Sequence, residues 1–148
     1  MDKSSPYNGF RDEKLYEDVA YALKEEAMKL QKAGVDALQI DEPMYSIGAP
    51  LDMGKKAIKI ITEDIKLPTA LHVCGKIVRI FDKLLEFEGI DILSHEFAAS
   101  PENFSVITRK KLEEHGKKLG VGCVKSNDPT IESVDFSYNV IKKAVDIV

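Results

Sequence analysis

Residues 69–97 read TALHVCGKIVRIFDKLLEFEGIDILSHEF, and this stretch decides the fold. Residues 69–73 form a short apolar run after the breaker Leu67-Pro68, which reads as a strand. Residues 76–87 change to helical spacing and end at a turn around Gly89. Residues 90–97 return to an apolar, strand-like run. A strand, a helix and a second strand in this order form a parallel pair joined by a crossover.

The same unit repeats on both sides. Upstream, Leu15, Val19, Leu23, Ala27 and Leu30 recur every three or four residues with charges between them, as on an amphipathic helix. Gly34 stands where a C-cap belongs. Residues 35–40 read as a strand, ended by Asp41-Glu42-Pro43 because proline cannot donate to a sheet ladder. Residues 55–65 carry Ala57, Ile58, Ile61 and Ile65 at helical spacing. Downstream, a helix is expected from about Pro101, a first-turn residue, to His115-Gly116. A strand over 119–124 and a helix over 133–148 follow. Residues 1–12, polar and bearing Pro6 and Gly9, read as a tail.

The pattern is α/β: parallel (β/α) units over residues 13–148 that amount to about half of a TIM (β/α)8 barrel, which takes roughly 250 residues. No glycine-rich phosphate loop follows the first strand, which argues against a dinucleotide-binding fold. Val140, Ile141, Ala144, Val145 and Val148 give the last helix an apolar face that runs to its end without a stop signal. The sequence therefore reads as a slice of a longer barrel. Its two outer strands, near 35–40 and 119–124, would be open edges, so self-association into a homo-oligomer is expected there.

The 148 residues are 44% apolar and 31% charged, with net charge −4. No basic stripe exists to meet phosphates, which argues against nucleic acid as a partner. No apolar run approaches the roughly 18–20 residues a membrane span needs, and the N-terminus lacks the apolar core of a signal peptide. Two cysteines make no disulfide framework, and a cytoplasmic location is expected.

Residues with chemistry to offer sit at the C-terminal ends of the strands: Asp41, then His72 and Cys74, then Glu96, then Cys123 and Lys125. In a barrel these ends open on one face, where active sites are built. On a strand, residues i and i+2 point the same way, so His72 and Cys74 project side by side. Nitrogen and sulfur donors suit Zn²⁺, and Glu96 can add an oxygen. The triplet by itself also fits a buried thiol beside a hydrogen-bonded core histidine.

Three motifs now coincide. Leu38-Gln39-Ile40-Asp41-Glu42-Pro43 resembles the QIDEP motif of cobalamin-independent methionine synthases. His72-Val73-Cys74 resembles that family's zinc motif, and Glu96, which follows His72 by 24 residues, resembles its zinc-ligand glutamate. Phe10-Arg11-Asp12 and Lys32-Ala33-Gly34 fit the stretch before QIDEP. The resemblance implies that His72, Cys74 and Glu96 hold zinc, that zinc holds the thiol of homocysteine as a nucleophile, and that Asp41 grips the substrate's amino group. The product would be methionine. The four strands would be the fourth to seventh of the family's barrel.

The sequence also departs from the family. Ile47 stands where the folate-using enzymes carry a glutamate that contacts the pterin. Lys125, in Gly120-Val121-Gly122-Cys123-Val124-Lys125-Ser126, stands at the position of the catalytic histidine that donates a proton. These losses lean toward the short archaeal-type relatives and a methyl group taken from a corrinoid protein, with methyl-folate as the other expected donor. The family's last zinc ligand lies in a PDCG motif that is missing here. Cys123, one strand earlier, is either a substitute ligand or a free thiol. His95 should face the helices and His115 should sit at a helix end, both structural. Two rival readings remain: a uroporphyrinogen-decarboxylase-like methyltransferase acting on coenzyme M, whose zinc motif Leu71-His72-Val73-Cys74-Gly75 also resembles, or an inactive barrel fragment.

Overall fold

The repeated unit predicts parallel pairing between successive strands, and the computed structural model, which describes residues 6–9 and 11–148, has that arrangement. Its elements in chain order are α1 (Glu13–Ala33), β1 (Leu38–Asp41), α2 (Leu51–Thr62), β2 (Thr69–Val73), α3 (Phe81–Leu84), β3 (Ile92–Glu96), α4 (Arg109–Glu114), β4 (Lys118–Gly122) and α5 (Val134–Ile147). The sheet order is β1-β2-β3-β4, and every neighbouring pair is parallel. Phe10 and part of the polar tail lie outside the described residues.

The alternation of side chains separates packing from chemistry. Leu71, Val73, Leu93 and His95 point to one face and are completely buried. They join Ile77, Phe81, Leu84, Phe87 and Phe97 in the main core. Asp41, His72, Ser94 and Glu96 point to the other face, where they are half-buried or exposed. α1 rests on α2 through Ala20, Ala27 and Ile61. Lys24 bridges the same pair by contacting Glu63 and Asp64, so this helix lysine is not part of a freely solvated face.

Three helix boundaries differ from expectation, each for a local reason. α2 begins at Leu51 rather than residue 55, through Met53-Gly54. A Cβ on Gly54 would lie 2.0 Å from the Tyr45 hydroxyl, so this glycine makes room for a buried ring inside a helix. The helix expected over 76–87 is reduced to the single turn of α3, because the chain leaves β2 through Gly75 at φ 73° and the Ile77 amide bonds to a side chain instead of a helical carbonyl. The helix expected over 101–116 is split into a 3-10 helix, Pro101–Val106, and α4. Ile107 turns extended to bury itself, and the Thr108 hydroxyl accepts from the Lys111 amide and restarts the helix.

Candidate metal centre

β1 delivers Asp41 and stops. Glu42 caps the following 3-10 helix (Pro43–Ile47) by accepting from the Met44 amide at 2.8 Å, and its own amide donates to the His72 carbonyl at 2.9 Å. That bond continues the β1–β2 ladder one residue further and holds Asp41 level with His72, its partner in register. The Asp41 carboxylate is exposed and accepts from the Gln39 amide at 2.8 Å.

β2 and β3 bring the donors together. His72, Cys74 and Glu96 each offer one ligand atom, and these atoms lie within 4.8 Å of one another. The Cys74 sulfur sits 3.2 Å from His72 Nε2. His72 Nδ1 faces the Ser94 hydroxyl at 3.4 Å. If Nδ1 carries the proton, Nε2 is left with its lone pair toward the cluster, the orientation expected when a neighbour fixes a ligand's tautomer. Burial raises the Cys74 thiol above its ordinary pKa, and the negative charges of Glu96 and Asp41 raise it further. A half-buried thiol beside two carboxylates is a poor anion alone and a fitting partner for a divalent cation. Three mixed N, S and O donors with a half-open side fit a catalytic type of zinc site, which keeps a position for water or substrate.

β4 contributes space rather than donors. A Cβ on Gly120 would meet the Ser94 side chain at 3.0 Å, and one on Gly122 would lie 2.8 Å from the His95 carbonyl oxygen. The two glycines let β4 press against the strand that carries Ser94 and Glu96.

Cys123 is half-buried and is not part of the donor group, so among the described residues no fourth protein ligand joins His72, Cys74 and Glu96. Lys125 lies in the segment after β4. Its backbone amide donates to Glu132 at 2.6 Å, its ammonium sits 5.3 Å from the centre of the Phe136 ring, and it lines a polar cavity of about 300 Å³ with Asn127 and Asp128. Ile47 is exposed and lines an apolar cavity of about 440 Å³, with Asp41 at its wall, between α1, β1 and α2.

His95 is on the opposite face, as its strand position implies. Its Nδ1 approaches the Val73 carbonyl at 3.3 Å, Phe81 packs edge-on against it, and Nε2 is buried without a partner. Burial lowers its pKa to about 4, so it is neutral and structural. His115, exposed, bonds to the Lys111 carbonyl at 2.9 Å at the end of α4. Ser94 and Asn103 are the residues near the donors that sequence reading passed over. Ser94 was legible as the residue two before Glu96 on the same face. Nothing in the sequence marks Asn103.

Comparison with known proteins adds the family. The family described as "Cobalamin-independent synthase, Catalytic domain" matches residues 1–148. A methionine synthase of Methanocaldococcus jannaschii is 40% identical over 144 residues, 97% of this chain and 44% of the relative. One from Methanothermobacter marburgensis is 40% identical over 143 residues, 95% of this chain and 45% of the relative. Among solved structures, a B12-independent methionine synthase from Shewanella sp. W3-18-1, in complex with selenomethionine, superposes with TM-score 0.75 at 29% identity, covering 95% of this chain and 46% of that one. The chain thus spans less than half the length of these relatives.

The comparisons correct two expectations. A relative from Thermodesulfovibrio yellowstonii, 27% identical over 142 residues, is a 5-methyltetrahydropteroyltriglutamate–homocysteine methyltransferase, so its name carries a methyl-folate. With the matching family described as cobalamin-independent, the methyl-corrinoid donor is withdrawn. The same family match displaces the rival coenzyme M reading.

Proposed function

The chain belongs to the cobalamin-independent synthase catalytic-domain family, and from that premise we propose that its strand ends form the thiol-activating half of a zinc-dependent homocysteine methyltransferase. The observation that carries this reading is the convergence of His72, Cys74 and Glu96 within 4.8 Å. A zinc ion bound there would lower the pKa of the homocysteine thiol and hold it as a thiolate. The remaining work belongs to the chain's own residues. Asp41, beside His72 and open to solvent, supplies a carboxylate for the amino group of the substrate. Ser94 holds the His72 ring, and the helical face behind the sheet keeps water out of one side of the site. The selenomethionine in the Shewanella structure is a product-like ligand, which agrees with a homocysteine-to-methionine reaction.

The donor proposed here is a methyl-folate, the class carried in the name of the Thermodesulfovibrio yellowstonii relative. Lys125, at the position of the family's proton donor, is the residue that would face the leaving group. Cys123 remains a free thiol in this reading.

The test is metal substitution. The chain loaded with Co²⁺ should show sulfur-to-cobalt charge-transfer absorption from Cys74, and L-homocysteine should add a second sulfur band that L-homoserine does not. Cobalt uptake without any response to homocysteine would overturn the thiol assignment.

A further inference from the structure

Asn103 is completely buried, lies in the 3-10 helix rather than on a strand, and is not one of the three metal-donor residues. Its amide makes three hydrogen bonds, all to backbone. Nδ2 donates to the Gly75 carbonyl at 2.9 Å and to the Glu96 carbonyl at 2.8 Å. Oδ1 accepts from the Ile77 amide at 3.0 Å. Gly75 follows Cys74 directly, and Glu96 is itself a donor. The registered pairs of β2 and β3 run from Ala70–Ile92 to Val73–His95, so the ladder ends one residue short of both Cys74 and Glu96. Beyond that point no registered pair joins β2 to β3, and the Asn103 side chain links the two chain segments through the Gly75 and Glu96 carbonyls.

We propose that Asn103 is a positioning residue that sets the spacing between Cys74 and Glu96. The inference rests on the metal reading above. The side chain is held in place from its own side: Pro101 starts the 3-10 helix, the Asn103 amide donates to the Ser100 carbonyl at 3.0 Å, and Phe104 packs on Phe97 at 4.4 Å between ring centres. A planar amide offers two donors and an acceptor, which is the set that two carbonyls and one N–H require. Aspartate has the same shape but turns an acceptor toward the Gly75 and Glu96 carbonyls. It keeps the bond to Ile77 and breaks the span between the donors.

The experiment compares the unchanged chain, Asn103→Asp and Leu112→Ala for Co²⁺ affinity and visible absorption. Leu112 is a buried α4 residue outside the donor group, and its truncation controls for lost stability. Asn103→Asp should bind cobalt about 10–100-fold more weakly, the range for outer partners of metal ligands, with weaker ligand-field bands as the geometry departs from tetrahedral. Leu112→Ala should keep the affinity and spectrum of the unchanged chain at a comparable melting temperature. If Asn103→Asp does not fold, Asn103→Ser, which retains one donor, is read in the same way. A folded Asn103 variant with unchanged affinity and spectrum would overturn the positioning role, as would a Leu112→Ala variant equally impaired. An unchanged chain that takes up no cobalt would overturn the metal reading itself, and the inference with it.

Discussion

The two inner strands and the outer strand β4 with the segment after it carry the same kinds of side chain to opposite effect. β2 and β3 are paired on both sides, bury Leu71, Val73, Leu93 and His95 completely on one face, and present His72, Cys74 and Glu96 on the other. β4 is paired on one side only, and the residues after it, Val124 and Ile131 among them, are largely exposed. Both regions contain a cysteine. Cys74 directly follows the last registered pair of β2 and β3, lies beside the His72 imidazole, and precedes Gly75, whose carbonyl accepts from Asn103, whereas Cys123 follows the end of an edge strand. In this comparison the thiol beside the paired strands joins a donor group and the thiol after the edge strand does not.

The largest expected contrast is in stability. Leu93→Ala removes a fully buried side chain from the paired core and should cost about 2–5 kcal/mol. Ile131→Ala, at 94% exposure, should change stability by about 0.5 kcal/mol or less. Denaturant titration of both variants measures the gap, and equal effects would erase the distinction between the regions.

Gly122→Ala probes the boundary. Its Cβ would sit 2.8 Å from the His95 carbonyl oxygen and 3.2 Å from the Glu96 Cα. Overpacking of this kind costs about 1–3 kcal/mol, and here it pushes on the strand end that carries Glu96. Metal affinity should fall along with stability. An alanine that fits without either loss would mean that β4 is free to shift and takes no part in shaping the site.

A smaller effect is expected at Lys117. Its ammonium donates to the Phe87 carbonyl at 2.7 Å and to the Ile90 carbonyl at 2.5 Å, and burial lowers its pKa. It ties down the turn at Gly89 that feeds β3. Lys117→Met should cost about 1–2 kcal/mol, read by thermal unfolding, and should leave metal affinity unchanged because the turn lies at the far end of β3 from Glu96.

The same contrast explains what was legible in the sequence. The strand positions followed from short apolar runs bounded by breakers such as Leu67-Pro68 and Asp41-Glu42-Pro43. His72, Cys74 and Glu96 were legible because i, i+2 spacing on a strand and a shared C-terminal end are local facts that parallel order converts into proximity. The helix boundaries were not, since they depend on partners far away in sequence: Gly54 yields to Tyr45, and the Ile77 amide is taken by Asn103. Asn103 itself was invisible because its role exists only where two strand ends and a later turn meet. Cys123 could be ranked below Cys74 but not dismissed until the donors were seen to gather without it.

The central claim is that three donors on two inner strands make one metal centre. Zinc content after dialysis, measured on the unchanged chain, Cys74→Ser and Cys123→Ser, tests it most directly. The account predicts that the unchanged chain and Cys123→Ser retain zinc equally and that Cys74→Ser loses it. Retention by Cys74→Ser, or loss in Cys123→Ser, would contradict it.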